Sequence, residues 1–337
     1  MNWLALDIGG ANLKAADGKG FAESYAFALW KEPNRLAQEL RTIIAEAPMS
    51  DHLAVTMTGE LADCFESKAV GVQHILKAVQ QASDGRHTRV YLTDGMLVST
   101  QVAMMKPLMA AASNWHALAR FCGRYAPTGS ALLVDIGSTT SDIIPLVDGQ
   151  PVAVGSTDTE RLLSRELVYT GVERSPLSGL VQQVPYRGQQ CPIALEFFAT
   201  TRDLWTILGE LPEDPNERRT ADGRPATKGA ARARMGRLIC ADDEAFNHRD
   251  AAQMAEAIAA TQTKLIASAI QTVCDRLPSK PATVVLSGHG EFLARRALEE
   301  LQLSPTLVSL ARELRAGVSR SAPAHALAVL AREAVGA

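Results

Sequence analysis

The sequence has only five cysteines, and their spacing forms none of the common patterns. They lie far apart without a Cys-x-x-Cys pair, and the seven histidines make no His-x-x-x-His or mixed Cys/His cluster. The sequence therefore contains no ligand set for a structural zinc ion. An odd number of scattered cysteines is typical of a protein in a reducing compartment and does not indicate a disulfide framework. We expect a cytoplasmic protein with free cysteines.

Long apolar runs and an excess of one charge are also missing. No segment approaches the roughly 20 apolar residues that span a bilayer, and the N-terminal MNWLALDIGG has no basic region of the kind that begins a signal peptide. The net charge is −3, which gives no general attraction to nucleic acid or to an anionic membrane. We expect small-molecule substrates, no nucleic-acid partner and no membrane.

What the sequence does contain is one short phrase twice. LALDIGGANLKAAD begins at Leu4, and LLVDIGSTTSDIIPLVDG begins at Leu132. Each is an apolar run, typical of a buried strand, that ends in Asp-Ile-Gly and then small polar residues. The two aspartates, Asp7 and Asp135, are 128 residues apart, which matches a domain of about 100–150 residues and exceeds a solenoid repeat of about 20–50. Two related domains facing one site are therefore predicted.

Both turns have the composition of a phosphate site. Glycine leaves backbone N–H groups uncovered, small polar side chains add donors, and a lysine adds a point charge. A carboxylate at each strand end suits Mg²⁺, which takes one or two carboxylates and keeps several waters, although a simple turn cap is the alternative for each aspartate. We predict Asp7 and Asp135 as catalytic residues and as magnesium ligands through water. The predicted phosphate or diphosphate ligands are Gly9, Gly10, Asn12, Lys14, Gly137, Ser138, Thr139 and Thr140.

The composition supports two domains with their own cores, because 47% of the 337 residues are hydrophobic and 21% are charged. We predict an α/β protein with a first domain over 1–127, a second over 128–319, and a C-terminal helix over 320–337 that packs back on the first. An insertion is expected in the second domain over about 156–240, with a loop-rich part over 212–228. A third strand–glycine–helix junction, TVVLSGHGEFL, adds as ligand-binding candidates Ser287, Gly288, His289 and Gly290.

These three turns, in this order, resemble those of the actin-like ATPase fold, which sugar kinases, Hsp70 chaperones, actin and hydantoinase/oxoprolinase proteins share. The resemblance implies two duplicated ribonuclease H-like domains with a central cleft. In that superfamily the first two turns hold phosphates, and aspartates at their strand ends hold Mg²⁺ mostly through water. The third turn meets an adenosine or its equivalent, so ATP is one ligand that the resemblance suggests.

A more specific set of segments is similar to the tetrahydromethanopterin-linked C1-transfer protein family. The segments are LDIGGANLKAA, TMTGELADCF, VDIGSTTSDIIP, DTERLLSRELVYTGVERSP, EFFATTRDLW and TADGRPATKGAARARM. Archaeal members of that family are the furan-methanamine synthases of methanofuran biosynthesis. The resemblance implies a Mg²⁺-dependent transferase of an alkyl or aryl group. Such an enzyme joins an aminomethyl-furan-methyl diphosphate to the phenolic oxygen of a γ-glutamyl-tyramine, forms an aryl ether and releases diphosphate.

Such a reaction needs an acceptor for the phenolic proton and cations for the substrates. Glu60 and Asp94 follow strands that are expected to run towards the cleft, so both are predicted as proton acceptors, with helix capping as the alternative. The cations predicted to bind diphosphate or an acceptor carboxylate are Lys106, Arg161, Arg232 and Arg234. For Arg232 and Arg234, in the Arg-rich part of the insertion, a solvated charged loop is the alternative.

Other functions would use the same cleft. An ATP-dependent small-molecule kinase, a hydantoinase-like amidase and a non-catalytic nucleotide-binding regulator are the alternatives. ATP is not favoured, because Gly10 and Ala11 depart from the Thr/Ser-rich first turn of relatives that use ATP. Tyramine, tyrosine and a glutamylated form are all open as acceptors, and a homo-oligomer is open as the quaternary state.

Overall fold

Two large β-sheets organise the fold, and the computed structural model describes residues 1–336. Ala337, the last residue of the expected C-terminal helix, lies outside the described residues. The first sheet contains β1 (Trp3–Ile8), β2 (Asn12–Ala16), β3 (Ala22–Ala26), β4 (His52–Met57), β5 (His87–Tyr91) and β6 (Leu97–Ser99). The second contains β7 (Ser130–Ile136), β8 (Ser141–Val147), β9 (Gln150–Pro151), β10 (Leu167–Val168), β13 (Thr283–Ser287) and β14 (Thr306–Ser309), and β11 (Gln183–Tyr186) pairs with β12 (Gln189–Pro192).

Helices cover both sheets. In the first part of the chain they are α1 (Leu36–Glu46), α2 (Lys68–Ala82), α3 (Thr100–Met105), α4 (Pro107–Ala110) and α5 (Asn114–Cys122). In the second part they are α6 (Asp158–Leu163), α7 (Thr201–Leu208), α8 (Lys228–Arg237), α9 (His248–Cys274), α10 (Glu291–Glu300), α11 (Leu310–Glu313), α12 (Ala316–Ser319) and α13 (Ala322–Gly336). Through residue 336, no helix combines the length and the apolar character needed to cross a membrane.

The two sheets share topology and register. The first has the order β3-β2-β1-β4-β5-β6 and the second β10-β8-β7-β13-β14, each with an antiparallel hairpin and a parallel neighbour at its central strand. Asp7 pairs with Lys14 in the first hairpin, and Asp135 pairs with Asp142 in the second. Both paired positions thus recur 128 residues later, with Asp142 in the place of Lys14. The predicted α/β fold with two duplicated domains is confirmed.

The repeat continues further into the second half than the sequence suggested. Strand β10 lies beside β8 as β3 lies beside β2, so the segment through residue 168 completes the second sheet although we expected an insertion from about 156. Beyond it, the β11–β12 hairpin, α7 and α8 have no counterpart in the first half. The predicted loop-rich stretch lies between α7 and α8, where no helix or strand occurs within the described chain. The exact domain limits stay a prediction.

The ends of the chain meet on the first sheet. Every residue of β1 is buried, as expected for a strand covered on both faces that reads as a continuous apolar run. Helix α13 packs against β1, β2, β4 and α5, where Leu327 and Ala328 join a core cluster with Trp3 and Ala5. This packing holds β1, and therefore its carboxyl end, in a fixed position relative to the rest of the molecule.

Candidate active site

The two Asp-Ile-Gly turns have the same local structure. The N–H of Gly9 donates to the carbonyl oxygen of Asn12 at 3.0 Å, and the N–H of Gly137 donates to that of Thr140 at 2.9 Å. A Cβ atom added at Gly10 would meet nothing within 4 Å. Both turns are closed by one backbone hydrogen bond, and the space outside the first is open to a ligand.

The third turn is packed onto the second Asp-Ile-Gly turn. Ser287 lies beside Asp135 in the parallel register of β13 and β7. Gly288 has a φ of +81°, and a Cβ atom there would lie 2.2 Å from the carbonyl oxygen of Ile136 and 2.9 Å from Oδ1 of Asp135. The N–H of Gly290 donates to the same carbonyl of Ile136 at 3.0 Å. Only glycine fits at position 288, and it brings the third turn against the Asp135 carboxylate.

The first sheet has its own version of the third turn. The N–H of Gly59, after β4, donates to the carbonyl oxygen of Ile8 at 3.0 Å, which is the bond that the third turn makes to the second sheet. Glu60 then occupies the position of Glu291, whose carboxylate accepts from Ser309 Oγ at 2.6 Å. Two turns from each sheet therefore form the candidate site.

Asp7 is a buried carboxylate with an incomplete set of partners. It is 3% exposed, and its Oδ1 has no hydrogen-bond partner within the described chain. Burial raises the pKa of Asp7, and the charge of Asp142 adds to this, whereas Lys14 and the side chain of Asn114 oppose it. The Nζ atom of Lys14 lies 3.7 Å from Asp7 Oδ2. A buried acceptor without a donor is suited to a ligand or a hydrated cation.

Asp135 is in the same electrostatic environment from the other side. Burial, with the charge of Asp142, raises the pKa of Asp135 to about 6, although Ser287, Lys14 and His289 oppose the shift. Lys14 belongs to the first sheet and acts on the aspartates of both sheets. The two Asp-Ile-Gly turns therefore face each other across one cleft.

The aspartates fit a hydrated magnesium ion better than a fully protein-bound metal. Among residues 1–336, no group of three His, Cys, Asp or Glu side chains is arranged to hold a metal. Mg²⁺ needs only one or two carboxylates when water and phosphate oxygens complete its shell. The unpartnered Oδ1 of Asp7 and the raised pKa of Asp135 are both features that a cation in this cleft would relieve.

The two predicted proton acceptors have different environments. Glu60 is 1% exposed, and burial, with the charge of Asp158, raises its pKa to about 7, although backbone hydrogen bonds and Lys68 oppose the shift. The Lys68–Asp158 ion pair, at 3.1 Å, links α2 to α6 across the cleft next to Glu60. Asp94 is instead exposed at the β5–β6 turn, where it accepts from the N–H of Met96 at 2.9 Å. We therefore retain only Glu60 as a proton acceptor.

Two of the predicted substrate cations are buried in ion pairs. The Nη2 atom of Arg161 lies 2.5 Å from Asp142 Oδ1, and its guanidinium stacks on Trp115 at 4.2 Å. Arg234 is 0% exposed and donates to Asp203 through Nε at 2.9 Å and Nη2 at 2.6 Å. We correct both assignments, because neither guanidinium can reach a substrate without breaking a buried pair. Arg161 instead pairs with Asp142, whose charge raises the pKa of both Asp7 and Asp135.

The other two predicted cations lie on or beside helices, Arg232 in α8 and Lys106 between α3 and α4. Arg232 donates through Nη1 to the carbonyl oxygens of Asp243 and Phe246, which fixes the loop after α8. We correct this assignment as well, since the contacts are structural. Lys106 is exposed at the junction of α3 and α4, and its role in substrate binding stays a prediction.

Glu173, which is not among the predicted site residues, holds the third turn. Glu173 Oε1 lies 3.2 Å from His289 Nε2 and 2.8 Å from Arg202 Nη2. Burial alone would raise the pKa of Glu173, but His289 and Arg202 outweigh it and bring the pKa to about 2. The N–H groups of Glu173 and Arg174 both donate to the carbonyl oxygen of Ser138. Glu173 lies in TGVERSP and Arg202 in EFFATTRDLW, two segments that the family resemblance includes, but no spacing rule connects them.

The chain matches known proteins over nearly its full length. The hydantoinase/oxoprolinase family matches residues 51–334. A curated relative from Methanocaldococcus jannaschii, named (4-{4-[2-(gamma-L-glutamylamino)ethyl]phenoxymethyl}furan-2-yl)methanamine synthase, is 32% identical over 97% of this chain and 96% of its own. A protein of the same name from Methanococcus vannielii is 31% identical over 62% of this chain and 93% of its own.

A solved structure is similar at lower identity. The inorganic polyphosphate/ATP-glucomannokinase from Arthrobacter sp. strain KM is 14% identical, covers 98% of this chain and 99% of its own, and has a TM-score of 0.47. The sequence matches are the stronger finding. On their basis, this chain belongs to the hydantoinase/oxoprolinase family and, within it, to the furan-methanamine synthases.

Proposed function

We propose that this protein joins an aminomethyl-furan-methyl diphosphate to the phenolic oxygen of a γ-glutamyl-tyramine and releases diphosphate. The observation that carries this proposal is the match of 32% identity over 97% of the chain to a synthase whose name describes the resulting phenoxymethyl-furan. The cleft between the two Asp-Ile-Gly turns offers a place for the diphosphate. The five free cysteines support the cytoplasmic location that we also propose.

The reaction exchanges one carbon–oxygen bond for another. The bond between the methylene carbon and the diphosphate breaks, and its electron pair leaves with the diphosphate. The phenolic oxygen supplies the pair for the new ether bond, and the phenolic proton leaves. Because the furan oxygen delocalises positive charge that develops on the methylene carbon, the protein needs mainly to position the substrates and to stabilise the departing anion.

The residues of the cleft are suited to those two tasks. The open space at Gly10 and the part-exposed side chains of Ser138, Thr139 and Thr140 would receive phosphate oxygens. Lys14 would add a positive charge. Asp7 and Asp135 would hold a magnesium ion through water. When bound, Mg²⁺ would neutralise part of the charge on the diphosphate.

Glu60 is our proposed acceptor of the phenolic proton. A phenol has a pKa near 10, so it needs only a modest base, and a carboxyl group with a pKa of about 7 is half ionised at neutral pH. The Glu60 carboxylate is buried beside the Lys68–Asp158 pair that bridges the cleft. Movement at that bridge would be the way for an acceptor to reach it.

Reconstitution with purified substrates tests the proposed function. The protein would be incubated with the furan-methyl diphosphate, a phenolic acceptor and Mg²⁺ without ATP, and the ether and diphosphate would be measured by mass analysis. We expect equal amounts of the two products, and a loss of about 100-fold or more in Asp7→Asn and Asp135→Asn. Asp84→Asn is the matched control, since Asp84 is 92% exposed.

The same assay with ATP added, together with a thermal unfolding measurement, separates the alternatives. A kinase or an ATP-dependent amidase would require ATP and release ADP, and a nucleotide-binding regulator would gain thermal stability from ATP without turning over the substrates. Formation of no ether from any phenolic acceptor would contradict our proposal.

A further inference from the structure

A side-chain pair outside the predicted site spans the cleft between the two phosphate-type turns. The guanidinium carbon of Arg174 lies 5.4 Å from the centre of the Trp30 ring system. Trp30 comes from the first half of the chain, after β3, and Arg174 comes from the second half, after β10. The contact is thus made across the cleft.

Both residues are anchored directly to the Asp-Ile-Gly turns. Trp30 follows Leu29, whose N–H donates to the carbonyl oxygen of Gly10 at 2.9 Å. The N–H of Arg174 donates to the carbonyl oxygen of Ser138 at 3.0 Å. The indole therefore borders the first turn and the guanidinium the second, and both must border whatever lies between the turns.

The two side chains differ from their neighbours in being available. Arg174 is exposed, and in residues 1–336 it has no carboxylate partner of the kind that Arg202 has in Glu173 at 2.8 Å. Trp30 is half-buried, and the face that it presents to the cleft already holds a cation. An uncompensated guanidinium is suited to a phosphate, which it binds with two parallel hydrogen bonds. An indole face is suited to a cation or to a flat ring.

We propose that Arg174 and Trp30 bind the two parts of the furan-methyl diphosphate, Arg174 the diphosphate and Trp30 the furan ring. This inference rests on the proposed function. The guanidinium leaves the indole for the phosphate oxygens, and the furan takes its place. As the carbon–oxygen bond breaks, the electron pair moves to the diphosphate beside Arg174, and the positive charge on the furan-methyl group is stabilised by the indole. The phenolic oxygen then bonds to the carbon, and its proton passes to Glu60.

The two roles predict different effects of substitution: loss of Arg174 lowers the affinity for diphosphate, and loss of Trp30 lowers kcat. In Arg174→Met, the affinity for inorganic diphosphate, measured by calorimetry on the whole protein with Mg²⁺, is expected to fall about tenfold or more. In Trp30→Leu, that affinity should stay within about twofold, whereas kcat for ether formation should fall about 3- to 30-fold. Trp30→Phe should recover most of kcat, and Arg174→Lys part of the affinity. Arg249→Met, at an exposed arginine on α9, is the control.

Each outcome decides one part of the inference. Diphosphate affinity in Arg174→Met equal to that of the wild type would overturn the role of Arg174. An unchanged kcat in Trp30→Leu, or a loss of diphosphate affinity as large as that of Arg174→Met, would overturn the role of Trp30. If the wild-type protein forms no ether, the proposed function fails and the role of Trp30 fails with it, while the diphosphate measurement still decides the role of Arg174.

Discussion

The Arg234–Asp203 pair allows a stability prediction with a magnitude. Arg234 is 0% exposed and Asp203 1%, and the guanidinium bonds to Asp203 twice and to Asp222 Oδ1 at 2.9 Å. In Arg234→Met, Asp203 would lose its compensating charge in the interior. Removal of one partner of a buried ion pair costs about 3–5 kcal/mol.

The structure favours the lower end of that range. Asp203 Oδ2 also accepts from the N–H of Thr200 at 3.0 Å as part of the capping box of α7. This bond survives the substitution, and burial already raises the pKa of Asp203, so the carboxyl group can take up a proton rather than stay charged. We expect Arg234→Met to lower the free energy of unfolding by about 3 kcal/mol.

Urea unfolding followed by circular dichroism measures this loss. Arg219→Met is the matched control, because the Arg219 side chain is 60% exposed and its pair with Glu217 should contribute less than about 1 kcal/mol. In Arg234→Met combined with Asp203→Asn, the loss should be smaller than the sum of the two single losses. A loss in Arg234→Met no larger than in the control would refute the structural role, and a raised KM at unchanged stability would restore the substrate role.

Further predictions concern the turns and Glu60. Gly288→Ala should lower the melting temperature more than Gly188→Ala. Both glycines have φ above +80°, but only a Cβ atom at position 288 would meet a backbone atom, the Ile136 carbonyl oxygen. Calorimetry compares the two variants, and equal losses would contradict the close packing of the third turn. Glu60→Gln should gain stability relative to the wild type as the pH rises from about 4.5 to 7, by up to about 3 kcal/mol, because burial raises the pKa of Glu60 in the folded protein and its ionisation there opposes folding. Unfolding curves at several pH values would contradict this if the difference were constant. Lys14→Met should weaken diphosphate binding about tenfold, and titration calorimetry with unchanged affinity would exclude the contact.

The sequence was sufficient for the repeated part of the fold. The repeated Asp-Ile-Gly phrase predicts two equivalent hairpins, and the matching register at Asp7 and Asp135 follows from it. A strand of two residues such as β10 is too short for a hydrophobic pattern, so the completion of the second sheet was not visible.

The chemistry of individual side chains was less predictable. In the sequence, Arg161 and Arg234 cannot be distinguished from solvated arginines. Only tertiary packing pairs them with the carboxylates of Asp142 and Asp203. Glu173 and His289 are 116 residues apart and meet because both segments bond to the second Asp-Ile-Gly turn, through the N–H of Glu173 to Ser138 and the N–H of Gly290 to Ile136. Local spacing contains no information on such contacts, whereas it does identify the turns that surround them.

The central claim is that a phenolic oxygen attacks the furan-methyl carbon while diphosphate departs from the cleft. An acceptor labelled with ¹⁸O at the phenol tests it most directly, with mass analysis of all products in the presence of Mg²⁺ and with or without ATP. Our account predicts that the ether retains the label and that diphosphate is released unlabelled without ATP. Label in an aryl phosphate, formed only with ATP, would contradict the account and identify a kinase.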